Sequence, residues 1–234
     1  MEQVLLRIYF VVQKLVFSQV DKETFDAIIN QGKVLEKDRW GVKVIETTDN
    51  KIVKFFRLKR VYSSALFFPY AWRFKRNANY LKRLGIKTME VEKIEYCLSQ
   101  QRHILTYKKL EGQSVKDKLS EAEGKNDLIN HLIKFISELH AKGVYFRSLH
   151  FGNIIIDSKG DLSLIDISDL KVYTGALSVN HRVRNWKHLL KYDFEKKLIN
   201  EYGCESFFDR YLGYANLSQQ QGAYIMKELL VNTC

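Results

Sequence analysis

The stretch GVYFRSLHFGNIIIDSKGDLSLID, residues 143–166, contains two short apolar runs that flank a Lys-Gly turn. Such a pattern predicts a β-hairpin. With the turn centred on Lys159 and Gly160, position 153 faces position 166. Asn153 and Asp166 would then meet at the open end of the hairpin, with their Cβ atoms about 5 Å apart. An amide oxygen and a carboxylate at that separation can share a hard cation such as Mg²⁺, although both residue types also serve as ordinary turn residues.

The chain before this stretch predicts a small sheet with one inserted helix. Residues 32–58 read as three strands, with a Thr-Asp-Asn turn between the second and the third. Residues 69–84 read as a helix that begins at Pro69 and ends at Gly85. Two further strand-like runs follow, VEKIEYCLSQ and RHILTYKKL.

The second half of the chain predicts mainly helices. Residues 127–142 carry apolar residues at helical spacing, and the chain reads as helical again from about residue 180. We therefore predict an α+β, two-lobed fold. A small N-terminal β-sheet lobe would take residues 25–110, and a mainly helical C-terminal lobe would take residues 111–234.

The N-terminal segment is apolar enough to raise the question of a membrane span. Arg7 and Lys14 interrupt the apolar run, so we expect an amphipathic helix over residues 1–24 instead. Its apolar face would either pack on its own domain or dock on a membrane surface.

The positive charge of the chain is concentrated in one segment. The net charge is +11, and eleven Lys and Arg but no Asp or Glu stand between Asn50 and Met89. A field of a single sign attracts phosphates, acidic lipid or nucleic acid, unless these side chains are simply solvated surface.

The cysteines indicate no metal site. Cys97, Cys204 and Cys234 lie far apart and fit no metal-ligand spacing. Unpaired thiols at such intervals suggest a reducing, cytosolic compartment.

The loop and hairpin resemble the protein-kinase pattern, in which H-R-D-L-x-x-x-N is followed by a hairpin and D-F-G. Here Phe146–Asn153 reads FRSLHFGN, and Ile165–Ser168 reads IDIS. On the N-terminal side, Ile52-Val53-Lys54 stands on the predicted third strand, where V-A-I-K belongs in that family. The phrases KRNANYLKRLGIKT, GVYFRSLHFGNIIID and LSLIDISDLKVY resemble the bacterial Kdo/WaaP lipopolysaccharide kinases, including the toluene tolerance proteins.

This resemblance implies an ATP and Mg²⁺ site. Lys54 would contact the ATP phosphates, and Asp166 would hold Mg²⁺ that bridges them. Asn153 would hold a second metal position. Gly41 would lie in the hairpin over the phosphates, although the chain has no G-x-G-x-x-G there. Arg147 occupies the arginine position of the pattern, with a structural role.

The chain departs from the kinase pattern at residues that matter for catalysis. Ser148 stands where the family has its catalytic aspartate, and a serine needs a partner that takes its own proton before it can act as a base. His150 could substitute as the base or could simply pack. Asn77 occupies the helix position that normally offers a glutamate to the strand lysine, which would leave Lys54 without its usual ion pair.

The resemblance implies an ATP-dependent phosphotransferase that acts on a sugar of the lipopolysaccharide inner core. Its partners would be the lipopolysaccharide core or another anionic glycolipid and the inner-membrane surface, on the cytoplasmic side in a Gram-negative bacterium. Because phosphoryl transfer depends mostly on positioning and charge neutralisation, Ser148 is compatible with a slow kinase. A kinase-like pseudoenzyme that binds nucleotide or envelope partners without transfer is the alternative. Nucleic acid is the least favoured partner of the basic segment.

Overall fold

The structure is a computed structural model and describes residues 9, 11–57, 68–121 and 125–233. The chain divides into two compact units. Unit 1 is Met1–Lys82 with Thr88–Leu110, and unit 2 is Arg83–Lys87 with Glu111–Cys234.

Unit 1 is built on a six-stranded sheet with the strand order β1-β6-β7-β4-β3-β2. β1 is parallel to β6, and the other neighbours are antiparallel. The strands are β1 Ser18–Val20, β2 Lys33–Asp38, β3 Gly41–Glu46, β4 Lys51–Arg57, β6 Val91–Cys97 and β7 Arg102–Lys108. The helices are α1 at residues 11–16, α2 Lys22–Asn30 and α3 Tyr70–Arg83.

The core of unit 1 forms between helix α2 and the sheet. Asp21 caps α2 because its carboxylate accepts the amide hydrogen of Thr24 at 2.7 Å. The central strands β4 and β7 present alternate apolar side chains to this side of the sheet. The buried cluster consists of Phe25, Ile45, Val53, Phe55, Cys97 and Ile104. The predicted strands and the inserted helix are confirmed.

The N-terminal helix differs from its prediction. The predicted helix at residues 1–8 and 10 lies outside the described residues, and helix α1 ends at residue 16, before strand β1. In α1 Lys14 is exposed as predicted, but the apolar side chains are not all buried. The polar Gln13 is buried and hydrogen-bonded to His103 at 2.7 Å, whereas Leu15 is 80% exposed and Val16 is 58% exposed.

Unit 2 is mainly helical and carries short strands. The strands are β8 Gln113–Ser114, β9 Val144–Tyr145, β10 Ile154–Ile156, β11 Leu162–Leu164 and β12 Lys171–Val172, and the two-residue strand β5 is Lys87–Thr88. β10 pairs antiparallel with β11 and with β8, and β12 pairs with β9. The helices are α4 Val115–Glu121, α5 Asn126–Ala141, α6 Val179–Leu189, α7 Asp193–Tyr202, α8 Cys204–Tyr214 and α9 Gln219–Thr233.

Helix α5 is the centre of unit 2. Its apolar stripe is buried at Leu132, Ile133, Ile136 and Leu139, as the helical spacing predicts. The fully buried aromatic side chains of the neighbouring helices are Trp186, Phe207, Phe208 and Tyr211. The α+β class, with a sheet-based part followed by a mainly helical part, is confirmed.

The predicted register of the β10–β11 hairpin is wrong by one residue. Ile154 pairs with Leu164, and the amide of Ile165 donates to the carbonyl of Asn153 at 3.0 Å. The reason is the turn, which has three residues and ends on Gly160 at φ +85°. A type I turn followed by a left-handed glycine shifts the pairing relative to a two-residue turn. Asn153 therefore faces Ile165, and Asp166 follows beyond the ladder.

The cysteines do not all behave as predicted. Cys97 is a buried free thiol, but Cys204 is disulfide-bonded. The prediction of unpaired thiols is wrong at Cys204. The cysteines therefore do not support the inference of a reducing compartment. Among the described residues, no helix has both the length and the apolar character needed to cross a bilayer.

Gly143 ends helix α5 and allows a close backbone approach. It has φ +76°, and a Cβ there would overlap the carbonyl oxygens of Tyr173 and Gly175.

We expect Gly143→Ala to lower the free energy of unfolding by about 3–4 kcal/mol, because overlap adds to the left-handed strain. Gly160→Ala is the matched control, since Gly160 has φ +85° but nothing within 4 Å of a Cβ. It should lose only about 1–2 kcal/mol. Urea unfolding measures both, and equal losses would contradict the close approach.

Candidate functional site

The predicted catalytic loop, Phe146–Asn153, connects β9 to β10 and closes on itself. The amide of Leu149 donates to the carbonyl of Phe146 at 3.1 Å, and the loop ends in a 3-10 turn at Phe151–Asn153. The side-chain amide of Asn153 donates to the carbonyl of Ser148 at 2.9 Å. Because this bond uses the amide nitrogen and Asn153 is buried, the orientation of its side chain is fixed. The side-chain oxygen is the atom left for a cation.

Asp166 stands at the end of β11 in a strained conformation. Its backbone has φ 52° and ψ 44°, which is the left-handed region. For a residue other than glycine this costs about 1–2 kcal/mol. Such strain is characteristic of functional positions, because the surrounding fold must hold it in place. Asn50 and Gln101 also have positive φ, so the conformation agrees with a functional role for Asp166 without singling it out.

Ser148 has a partner that sequence reasoning missed. Its hydroxyl donates to Oδ2 of Asp169 at 2.6 Å. Burial raises the pKa of the Asp169 carboxyl; the hydrogen bond from Ser148 opposes this shift, and the charge of Asp166 adds to it. The only signal in the sequence was a second acidic residue three positions after Asp166. No local pattern connects it with Ser148, which lies 21 positions earlier.

His150 lies in the same loop but faces helix α7. Its ring centroid is 4.7 Å from that of Tyr192, just before the helix begins. Burial lowers the pKa of His150, and the negative charge of Glu195 opposes the shift. The neighbouring amide of Phe151 donates to the buried Glu195 carboxylate at 2.7 Å. His150 is therefore placed for packing, and its predicted role as a substitute base stays a prediction.

A buried chain of hydrogen bonds holds the start of the loop. Asn185 of helix α6 donates to the carbonyl of Phe146 at 2.7 Å, and its oxygen lies 3.2 Å from Nε2 of His140. Nδ1 of His140 lies 2.8 Å from the hydroxyl of Tyr211, which accepts from Arg182 at 3.2 Å. If Nε2 of His140 carries the proton and donates to Asn185, Nδ1 can accept from the hydroxyl of Tyr211. Each group in the chain then donates to the next, from Arg182 to the carbonyl of Phe146.

Lys54 lies on strand β4 of unit 1, as predicted. It pairs with Val44 of β3 and Leu105 of β7, which places it on a central strand. Its ammonium is 5.6 Å from the ring centroid of Phe74 on helix α3. Asn77 is buried three residues further along α3 and therefore shares the face of Phe74. Asn77, which stands where the kinase pattern has a glutamate, therefore lies on the helix face that meets Lys54.

Gly41 belongs to the tight turn between β2 and β3. It has φ +112° and pairs with Asp38, and the guanidinium of Arg102 donates to the carbonyls of Trp40 and Val42. The turn is therefore fixed by hydrogen bonds from Arg102. It contains a single glycine, so it is not a glycine-rich phosphate-binding loop. The role of Gly41 in cofactor binding stays a prediction.

The site residues are distributed over both units. Lys54 and Gly41 belong to unit 1, and the other predicted residues, Ser148, His150, Asn153 and Asp166, belong to unit 2. Within the described ranges, no group of three or more His, Cys, Asp and Glu side chains is placed to hold a metal ion. A cation at Asn153 and Asp166 would therefore need further oxygen ligands from a bound phosphate.

The comparisons with known proteins link a short segment of the chain to protein kinases. No family model matches the chain. Over 53 residues, the chain is 43% identical to CBL-interacting protein kinases 17 and 1, and 42% identical to CBL-interacting protein kinase 21, all from Oryza sativa subsp. japonica. These matches cover 23% of this chain and 10 to 12% of the kinases, so the chain matches about a tenth of their length.

One solved structure in the comparison is a co-crystal structure of WbdD with the kinase inhibitor LY294002. It covers 79% of this chain and 42% of the WbdD chain, with 17% identity and a TM-score of 0.49. The likeness to the Kdo/WaaP branch is therefore carried by the sequence motifs alone.

The buried His140 predicts a loss of stability in acid. Burial, reinforced by the charge of Arg182, lowers its pKa to about 3. A histidine with a depressed pKa contributes stability above its unfolded pKa of about 6.5, and this contribution is lost as the pH falls. Between pH 7 and pH 5 we expect the wild type to lose about 2 kcal/mol of unfolding free energy more than His140→Gln.

Urea titrations at the two pH values measure this difference. His131→Gln is the matched control, since His131 is exposed on the same helix, and it should keep the pH dependence of the wild type. If His140→Gln shows the same pH dependence, His140 is not buried in its neutral form.

Proposed function

We propose that this chain is an ATP-dependent phosphotransferase. The observation that carries the proposal is a buried loop of the kinase pattern that ends on Asn153, whose side-chain amide is fixed by its bond to Ser148, and is followed by Asp166 in a left-handed conformation. The two residues stand in the order that the kinase pattern requires. The short match to protein kinases supports the same reaction class.

The residues present fit a magnesium–nucleotide complex. Asp166 supplies a carboxylate and Asn153 an amide oxygen, and oxygen ligands of this kind are the ones that Mg²⁺ prefers. When bound, the ion would neutralise charge on the phosphates. Lys54 would contact the phosphates from strand β4, and Phe74 beneath its ammonium limits the directions that the side chain can take.

We propose a sugar of the lipopolysaccharide inner core as the acceptor, presented at the cytoplasmic face of the inner membrane in a Gram-negative bacterium. The basic segment between Asn50 and Met89 supports an anionic glycolipid partner. Helix α1 adds exposed apolar side chains, since Val11, Leu15 and Val16 are all more than half exposed. Apolar and basic groups together are what peripheral attachment to an anionic membrane requires.

A kinase-like pseudoenzyme is the second candidate. The observation that favours it is Ser148, because a serine at this position supplies no carboxylate of its own. Such a protein would bind nucleotide or envelope partners without transferring phosphate. Binding and transfer therefore need separate experiments.

Nucleotide binding is tested by thermal shift with ATP and Mg²⁺. At a ligand concentration 100 times the Kd, binding adds about 2.7 kcal/mol, which raises the Tm of the wild type by roughly 5–10 °C. Asp166→Ala and Lys54→Ala should lose most of this shift, because each removes a group that contacts the metal or the phosphates. Asp161→Ala is the control, since Asp161 is an exposed carboxylate of the hairpin turn. A wild type without any shift contradicts the ATP-dependent proposal.

Transfer is tested with γ-labelled ATP and lipopolysaccharide truncated within the inner core. We expect label on the lipopolysaccharide with the wild type and at least a 10³-fold lower rate with Asp166→Ala, because charge neutralisation is the main term in phosphoryl transfer. Label that remains on ATP, together with a normal thermal shift, would identify the pseudoenzyme.

A further inference from the structure

We propose that Asp169 takes the proton of Ser148, so that the Ser148–Asp169 pair performs the task of the missing loop aspartate. This inference rests on the proposed phosphotransferase function. It assigns a role to a residue that the kinase pattern leaves without one, and it resolves the departure at Ser148.

The hydrogen bond between the two residues has a defined direction. Ser148 Oγ lies 2.6 Å from Oδ2 of Asp169, and a carboxylate can only accept, so the serine proton points at Asp169. The lone pairs of Oγ then point away from Asp169 and can receive a proton from another hydroxyl. A short bond of this kind between a hydroxyl and a carboxylate is strong because the acceptor is charged.

The serine is fixed from its other side as well. Asn153 donates to the carbonyl of Ser148 at 2.9 Å, so the same residue that supplies an oxygen for the metal also holds the backbone of the serine. Ser148 and Asp169 are 21 positions apart in the sequence. Their contact is therefore made by the fold of unit 2, and it is not a local turn motif.

Asp169 is poorly solvated, which favours proton uptake. Its second oxygen, Oδ1, is buried and has no hydrogen-bond partner within the part of the chain that the structure describes. Burial raises the pKa of the carboxyl, and the hydrogen bond from Ser148 opposes this shift. A carboxylate with few stabilising contacts is a better base than one in water.

The proposed reaction transfers one phosphoryl group and two protons. The acceptor hydroxyl oxygen forms a bond to the γ-phosphorus of ATP, and the bond from that phosphorus to the β–γ bridging oxygen breaks, with its electron pair leaving on ADP. The proton of the acceptor hydroxyl passes to Ser148 Oγ while the proton of Ser148 passes to Asp169 Oδ2. Asp169 then releases its proton to water, and the pair returns to its starting state.

Three variants test the pair. Ser148→Ala removes the hydroxyl that relays the proton, and Asp169→Asn removes the carboxylate but keeps its shape. Each should lower the rate of transfer to truncated lipopolysaccharide by about 10²–10⁴-fold, as expected for the loss of a general base. The thermal shift with ATP and Mg²⁺ should stay within the wild-type range, because neither group is assigned to the nucleotide.

The third variant separates proton transfer from a structural role. The exchanged pair Ser148→Asp/Asp169→Ser keeps a serine–carboxylate hydrogen bond but places the carboxylate at the loop position. Its rate of transfer should be at least ten-fold higher than that of Ser148→Ala. Asp117→Asn is the control, because Ser114 and Asp117 form a hydrogen bond of the same 2.6 Å length at the exposed start of helix α4, and its loss should leave the rate unchanged.

The outcomes are distinguishable. Loss in both single variants with recovery in the exchanged pair supports the relay. Single variants that transfer at the wild-type rate overturn the relay and leave the phosphotransferase intact, as does a phosphate found on Ser148 by mass spectrometry. An exchanged pair that folds and binds nucleotide but recovers nothing also overturns it. A wild type that shows no thermal shift and no transfer overturns the proposed function, and the relay with it.

Discussion

The loop Phe146–Asn153 is largely buried although it is mostly neither helix nor strand, and this constraint organises unit 2. Buried backbone groups outside regular structure need side-chain partners. Asn185 satisfies both the amide and the carbonyl of Phe146, Glu195 satisfies the amide of Phe151, and Asn153 satisfies the carbonyl of Ser148. Helices α6 and α7, which follow the hairpin in sequence, are thereby hydrogen-bonded to the loop that precedes it.

The same constraint explains why polar residues lie in the core of a helical unit. His140, Asn185 and Glu195 are all at most 2% exposed, and each would be costly to bury alone. His140 bonds to Asn185, and Asn185 and Glu195 each bond to backbone groups of the loop. Stability and site geometry therefore depend on the same residues, so a substitution in this network changes both.

The two carboxylates assigned to the proposed reaction occupy energetically unfavourable environments. Asp166 occupies a left-handed conformation, and Asp169 buries an oxygen without a hydrogen bond among the described residues. Burial raises the pKa of the Asp169 carboxyl, and the charge of Asp166 adds to this shift. In the proposed reaction Asp166 holds the cation and Asp169 takes the proton.

The structure also changes how the loss of the loop aspartate is understood. At the level of motifs, Ser148 is a missing base. In three dimensions it is a hydroxyl bonded to a carboxylate that lies 21 positions later in the sequence. The departure from the pattern is thus accompanied by a second residue, Asp169, at the distance that proton transfer needs.

Many of the elements, and the residues at the motif positions, could be predicted from sequence, whereas strand β1 and helix α2 were missed. Periods of two and of about 3.6 residues are local properties, and they sufficed to find strands β2 to β4, helices α3 and α5 and the loop before the hairpin. The register of the hairpin could not be predicted, because it depends on whether Gly160 closes a three-residue turn. Likewise, the partners of Ser148, Phe146 and Phe151 stand 21 to 44 positions away. Hydrogen bonds over such separations are set by packing, so the sequence could identify Ser148 as unusual but could not show Asp169 beside it.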